Sequence, residues 1–436
     1  IGRKKTIITM KKSILYAASL LLLAFSMGSC NPSSTDPDAA SYATGDFKTI
    51  DDNELSNNEK IFKRALVDYV HKTVFVTYEG MADNAILLAD QMAKVLLAAQ
   101  NGDNDNTELI TKAGEYWTAS RKYWEQSEAF LYGPAGDYNI DPHIDSWPFD
   151  QAAFDALIND ATRMEEYRQK LLTGASLEEE EYGLMGYHAL EYVLYQLNAD
   201  STASTAHKVG DFTVAQWTYM TVVANDLRNQ SILLEEAWKG MGRVSVAKQT
   251  FLRAANMTGA KYTALYQGYA ASMLNPGAGD VAYATYQEGV EELIAGAIDI
   301  ADEVANSKIG AAANAQVGSD SYQEDHDNIE SPYSLHSIID FQDNIRSIQH
   351  AFFGTNTGDH SVNDFMKQAD ATLSTDIADK ATAAIEAIGL IQEPFVNHAK
   401  DNEAQLAITA VNDLMDALNN AYAHISGHNY EPEEEE

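Results

Sequence analysis

The sequence predicts an all-α fold built from two helical bundles packed together, and three observations carry that prediction. Apolar residues recur at steps of three and four along most of the chain. The hairpin signature, alternating Val, Ile, Thr and aromatic residues closed by Asn-Gly or Asp-Gly turns, does not recur. A Gly240-Met241-Gly242 break near the middle divides the folded part into an N-terminal bundle over 58–240 and a C-terminal bundle over 241–428. Long helices joined by short links form such bundles. An internal echo suggests that the halves are related by duplication: Glu128-Ala129-Phe130 precedes Gly133, and His350-Ala351-Phe352 precedes Gly354.

The first segment is not part of that fold. Met10-Lys11-Lys12 supplies a basic start, Ser13 to Phe25 an apolar stretch, and Met27-Gly28-Ser29 the small residues of a cleavage site. Residues 1–29 therefore read as a secretory signal, with those before Met10 upstream of the true start. Cys30, the sole cysteine, stands where a bacterial lipoprotein is acylated, so an intramolecular disulfide is ruled out. Residues 30–57, rich in Ser, Asp, Pro, Thr and Asn, read as a lipidated tether. The expected location is the cell envelope of a Gram-negative-type bacterium, anchored through Cys30 and facing the periplasm or the exterior.

Helical stripes then come in order. Ile61, Phe62, Ala65, Leu66, Tyr69 and Val70 form one, and Met81, Ala85, Leu88, Met92, Val95 and Leu96 a second. Trp117, Arg121, Trp124 and Glu128 line up as a third. Gly133 to Asp150 lacks periodicity but carries Tyr138, Trp147 and Phe149, which predicts an ordered functional loop. Ser176 and Glu179 have capping-box spacing ahead of an apolar segment from Leu184 to Leu197. Further helices are predicted over about 211–239, 244–274, 283–306, 333–353, 371–391 and 400–425. Residues 429–436 read as an acidic tail.

The net charge of −36 repels nucleic acid and anionic lipid and favours cations and basic partners. Loss of Arg3, Lys4, Lys5, Lys11 and Lys12 with the leader makes the mature chain more acidic still.

Candidate chemistry centres on Gly186-Tyr187-His188-Ala189-Leu190-Glu191. Residues three apart on a helix share a face, so an imidazole and a carboxylate can meet one ligand. Gly186, inside the predicted helix, costs about 1 kcal/mol relative to Ala and implies close approach of another backbone. The plain alternative is a buried histidine satisfied by a carboxylate. Arg121, Trp124 and Glu128 share a face whose tryptophans argue for burial, and a buried charge needs a partner or ligand; on an exposed face an Arg121–Glu125 pair would count for little. Ser337, Asp340 and Asn344 form a polar stripe that either bonds another helix or binds a ligand, while His336 and Asp340 could make a surface pair. H-E-x-x-H, a second E-x-x-H, G-x-S-x-G, a P-loop and C-x-x-C are absent from the sequence.

These residues resemble the imelysin-like family of envelope proteins linked to iron-regulated expression. The resemblance rests on Gly186 through Leu194, which looks like that family's G-x-H-x-x-E helix. It extends through Arg121 with Glu128-Ala129-Phe130 and Gly133-Pro134, Asp145-Ser146-Trp147-Pro148, Asp302 through Gly310, and Ser334 through Asp340 and Asn344 to Gly354. It implies two helical bundles with the site between them, a metal-binding H-x-x-E pair, and a peptidase activity described for one member. Leu335-His336 after Ser334 departs from the acidic-polar pair commoner there.

Three readings are open at this point. The chain is a lipid-anchored protein binding a metal ion (iron or zinc), haem or another cationic ligand in iron acquisition, with His188, Glu191 and Glu128 on the metal and Arg121, Trp124, Asp145, Ser334, Asp340 and Asn344 lining the ligand site. Alternatively it is a metallopeptidase with Glu128 as base, or a structural envelope protein that docks a partner.

Overall fold

The computed structural model describes residues 49–173, 177, 182–257, 268–278 and 282–431. The leader, Cys30, most of the expected tether, the Ser176 and Glu179 pair and the last five residues of the acidic tail lie outside the described residues. The regular structure of the described residues is helical except for one short hairpin. Twelve helices carry the architecture: α1 (Asn57–Asp68), α2 (Phe75–Asn101), α3 (Glu108–Glu125), α4 (Ile140–Ile144), α5 (Ala161–Thr173), α6 (Gly186–Leu194), α7 (Val214–Lys239), α8 (Tyr286–Glu303), α9 (Ser337–Phe353), α10 (Val362–Ala369), α11 (Ala371–Ile388) and α12 (Asn402–Ser426). Among the described residues none is long and apolar enough to cross a membrane.

Local chemistry sets their ends. Ser56 caps α1 by accepting from the Glu59 amide at 3.2 Å, and Thr213 and Gln216 form a reciprocal capping box on α7. α2 and α12 stop at Gly102 and Gly427, whose φ values of 78° and 81° suit a residue without Cβ.

The first bundle packs α7 against α2 and α5, with α3 and α6 alongside; the second packs α8, α9, α11 and α12. α7 is buried on nearly every face, as expected of a central helix. Chain order and spatial order part company at α1, which packs against α8 and α10 of the second bundle. One continuous apolar core runs through both bundles. The bundles meet where α3 and the 3₁₀ turn Glu128–Phe130 contact α8 and α9.

Several sequence expectations change here. α3 ends at Glu125, so Glu128 sits on the following 3₁₀ turn and not on the stripe with Arg121 and Trp124. The Gly133–Asp150 stretch contains two short helices, Pro134–Asp137 and α4. The segment predicted to stay helical to Leu197 turns at Tyr195 into strand β1 (Tyr195–Leu197), paired antiparallel with β2 (Ser204–Ala206) in the register Tyr195 to Ala206. The helix predicted over 244–274 ends at Ala254, because Asn256 takes a left-handed φ of 55° that an α-helix cannot continue.

Gly296, in the interior of α8, illustrates the tight bundle contact. A Cβ there would lie 2.5 Å from the carbonyl oxygen of Ala129, on the turn that carries Glu128. Gly296→Ala should therefore lower the urea midpoint, even though Ala is favoured over Gly in a helix by about 1 kcal/mol. An unchanged or higher midpoint would show that the two backbones can separate freely.

Candidate metal centre

Arg121 projects from the last turns of α3 with no exposure to solvent. Burying a guanidinium costs several kcal/mol unless carboxylates surround it, and four do. Its Nη2 meets Glu125 Oε1 at 2.8 Å and Glu330 Oε1 at 2.7 Å, its Nε meets Asp340 Oδ2 at 3.2 Å, and its Nη1 donates to Asp145 Oδ1. These acids come from α3, the residue after α4, the loop before α9, and α9. Burial alone would lower the arginine's proton affinity, but Asp145, Glu125, Asp340 and Glu330 hold it well above the ordinary range.

Lys308 is a second buried cation. It ends the π-helical turn Val304–Lys308 after α8, and π-turns inside helices often mark functional sites. Its Nζ lies 2.9 and 3.0 Å from the two oxygens of Glu330 and 3.6 Å from Glu303 Oε1. Glu330, Glu128, Glu303 and Glu125 outweigh burial and keep it charged.

His188 lies on the first turn of α6, 1% exposed. Its Nε2 stands 3.1 Å from Asp145 Oδ1, yet is not in hydrogen-bond geometry with any group. Its Nδ1 faces Glu191 Oε2 at 3.4 Å. Burial would depress the imidazole, but Asp145 and Glu191 raise it to about 9. Gly186 makes this placement possible. It opens α6 at φ 70°, and a Cβ there would come within 2.1 Å of the Ile144 carbonyl oxygen. The glycine is thus the first residue of the helix and not an interior one, while the expected close approach of another backbone is present.

Every residue expected at the site falls in or beside this cluster. Trp124 Nε1 donates to Asp145 Oδ2 at 2.6 Å, and Asn344 donates to Glu125 Oε2 at 2.7 Å. Asp340 accepts from Arg121 and Ser331, so it is a buried member of the cage and not a surface partner of His336. The Ser337 hydroxyl donates to the Glu330 carbonyl, and the polar stripe of α9 thereby bonds neighbouring elements. Ser334 donates through its amide and its hydroxyl, both at 2.7 Å, to Glu191 Oε1, which also accepts from the Tyr333 amide. Glu191 thus has one oxygen committed to this loop and the other toward His188.

Two groups of donor atoms lie within 4.8 Å of one another: Asp145, His188 and Glu330 form one, and Glu125, Glu128 and Asp145 the other. Two ligands of one ion at 2.0–2.2 Å stand at most about 4.4 Å apart, so the side chains of each triad would have to draw closer together to share an ion. His188 and Glu128 thus fall in adjoining triads that share Asp145, and Glu191 is in neither. Beside them is a cavity of about 200 Å³ lined by Glu128, Asp141, Asp145, Ser146, Trp147, Glu303 and Lys308. Sequence reasoning did not find Glu330, Lys308, Glu303 or Asp141. They lie on turns and helix ends, where no periodic stripe exposes them, although Glu303 and Lys308 fall within the Asp302–Gly310 segment that contributes to the family resemblance.

The family model described as Imelysin matches residues 77–421. The chain belongs to the imelysin family. It is 23% identical over 368 residues to Iron-regulated protein A of Synechococcus elongatus, covering 82% of this chain and 85% of that one. The fold is similar to a Parabacteroides distasonis protein described as an iron-regulated protein A precursor, with a TM-score of 0.69 and 23% identity over 88% of this chain and all of the other. It is also similar to an imelysin-like protein of Psychrobacter arcticum, with a TM-score of 0.57 and 12% identity over 85% of this chain and 96% of the other. At such identities the structural likeness is one of fold.

Two outcomes are expected of this imelysin-family cluster. Arg121→Met strips four carboxylates of their shared cation and should cost about 3–5 kcal/mol in urea denaturation; a loss below about 1 kcal/mol would show that the acids find other partners. The second concerns pH. Burial first, then Asp145 and Glu303, raises Asp141 to about 7, and burial raises Asp340 to about 6 despite Arg121. Unfolded aspartates release their protons near 3.9. The native state therefore binds more protons between these values, and stability contributed by Asp141 and Asp340 falls as pH rises from about 4 to 7. His188 acts in the same sense, its contribution being lost as pH rises toward 9. The metal-free protein should show a higher urea midpoint at pH 5 than at pH 8, with a shallower difference in Asp141→Asn.

Proposed function

We propose that this imelysin-family protein is a cell-envelope protein, lipid-anchored through Cys30, that binds a metal ion in iron acquisition. The observation carrying the reading is that buried His188 Nε2 gathers with carboxylate oxygens of Asp145 and Glu330 at the seam of the two bundles. A buried imidazole whose nearest partners are carboxylates is a donor set that a cation can complete. An imidazole with carboxylates suits iron and zinc, and the relatives named for iron regulation favour iron.

Asp145, His188 and Glu330 would hold the ion, with Glu128 on the cavity side. Glu191 then serves behind His188, where a carboxylate on the distal ring nitrogen fixes the orientation of a ligating imidazole. A bound metal would supply positive charge to a cluster whose acids outnumber its cations. Arg121 supplies part of that charge permanently and holds Asp145 and Glu330 in place from the opposite side.

The cavity favours a bare or hydrated ion over larger ligands. At about 200 Å³ it falls below the roughly 300–1,000 Å³ of pockets for drug-sized molecules and is of a size for an ion with its waters.

The test is titration of the full chain, purified without a nickel tag, with Fe(II) under anaerobic conditions and with Zn(II). His188→Ala should weaken binding at least tenfold with an unchanged helical circular-dichroism signal, and Glu191→Gln by less. Equal affinity in wild type and His188→Ala would remove the imidazole from the site. Metal-dependent cleavage of unfolded peptides, lost in His188→Ala, would establish a peptidase instead.

A further inference from the structure

Two cations already occupy the anionic cluster, and they differ in how they are held. Arg121 is locked: its guanidinium touches four carboxylates and lies 5.3 Å from the Tyr187 ring centre, on a helix packed from both bundles. Lys308 has one principal partner. Its ammonium bridges both oxygens of Glu330, faces the Trp147 ring at 5.3 Å, and forms part of the cavity wall. Beyond it, 3.6 Å away, stands Glu303, whose side chain is 42% exposed at the cavity mouth.

Glu330 belongs to the triad with Asp145 and His188. It meets Arg121 through Oε1, while its Oε2 contacts Lys308. An ion entering through the cavity therefore meets an ammonium already seated on one of its ligands. A lysine ammonium is a compact point charge on a flexible stem, able to trade one carboxylate for another. The outward carboxylate of Glu303 is a ready second partner.

Building on the metal-binding reading, we propose that Lys308 is a built-in competitor. Its ammonium holds the cation position at Glu330 when the site is metal-free and moves toward Glu303 when a metal ion takes that position. The lysine keeps the acid cluster neutral enough to stay folded without metal, and it sets metal affinity below what the donors alone would give. Removing it should strengthen metal binding, whereas a lysine that helped to hold the ligand would weaken binding on removal.

The experiment is anaerobic calorimetric titration of the full chain with Fe(II) alone, comparing wild type with Lys308→Met, Lys308→Gln and Lys308→Arg. Lys308→Met and Lys308→Gln should bind at least tenfold more tightly, while Lys308→Arg, which keeps the charge, should not. Lys308→Gln can still donate to Glu330 and covers the case in which Lys308→Met fails to fold. In wild type, exchange of the Lys308 Nζ protons with solvent, followed by ¹⁵N NMR, should become faster when metal is added. Wild-type binding with unchanged or weaker affinity in both neutral variants would overturn the competitor role and leave the metal-binding reading standing. Absence of Fe(II) binding in every form would overturn both.

Discussion

The buried guanidinium of Arg121 is the interaction around which the molecule is organised. A charge with no solvent access needs counter-charges in place before it is tolerable, and here they come from segments far apart in sequence: Glu125 on its own helix, Asp145 beyond α4, Glu330 in a loop, and Asp340 on α9. The two bundles cannot move apart without uncovering this charge, because Arg121 and Asp340 lie on opposite sides of the seam. Apolar contact supplies most of the cohesion, but it is tolerant of small slides. The fork geometry of an arginine is not, and it fixes how the bundles are registered.

Periodicity decides how much of the fold is legible in the sequence. Long amphipathic helices announce themselves, so the all-α class and segments such as Val214–Lys239 could be read directly. Arg121 and Trp124 were accessible because a charge among tryptophans implies burial, His188 and Glu191 through their helical spacing, and Asp340 and Asn344 as a polar stripe on an apolar helix, whereas Asp145 came only through the family resemblance. Glu330 and Lys308 were not accessible, since their significance lies in pairing with residues far along the chain. A lysine or glutamate on a turn looks like solvent-facing polarity until its partner is known. The same blindness put Glu128 on a helix that ends before it and extended α6 through what is a strand, because the apolar pattern of Tyr195–Leu197 fits either conformation.

The site is less a bare set of ligands than an anionic cage with resident cations. Burial pushes Glu125 and Glu128 toward their protonated forms, while Asp145, enclosed by Arg121 and His188, stays ionised despite its burial.

The placement of α1 with the second bundle bears on how the chain is threaded. The Ile50 amide donates to the Tyr286 hydroxyl and Lys63 returns a bond to the Ile50 carbonyl, while Tyr430, near the other end, bonds Asp299. Both ends of the described chain are therefore moored to the second bundle, and the first is topologically an insert between α1 and α8. A circular permutant joining the region of Ile50 to that of Tyr430 would keep each bundle's helices contiguous. A cut at Gly240 would instead leave α1 stranded on the wrong fragment.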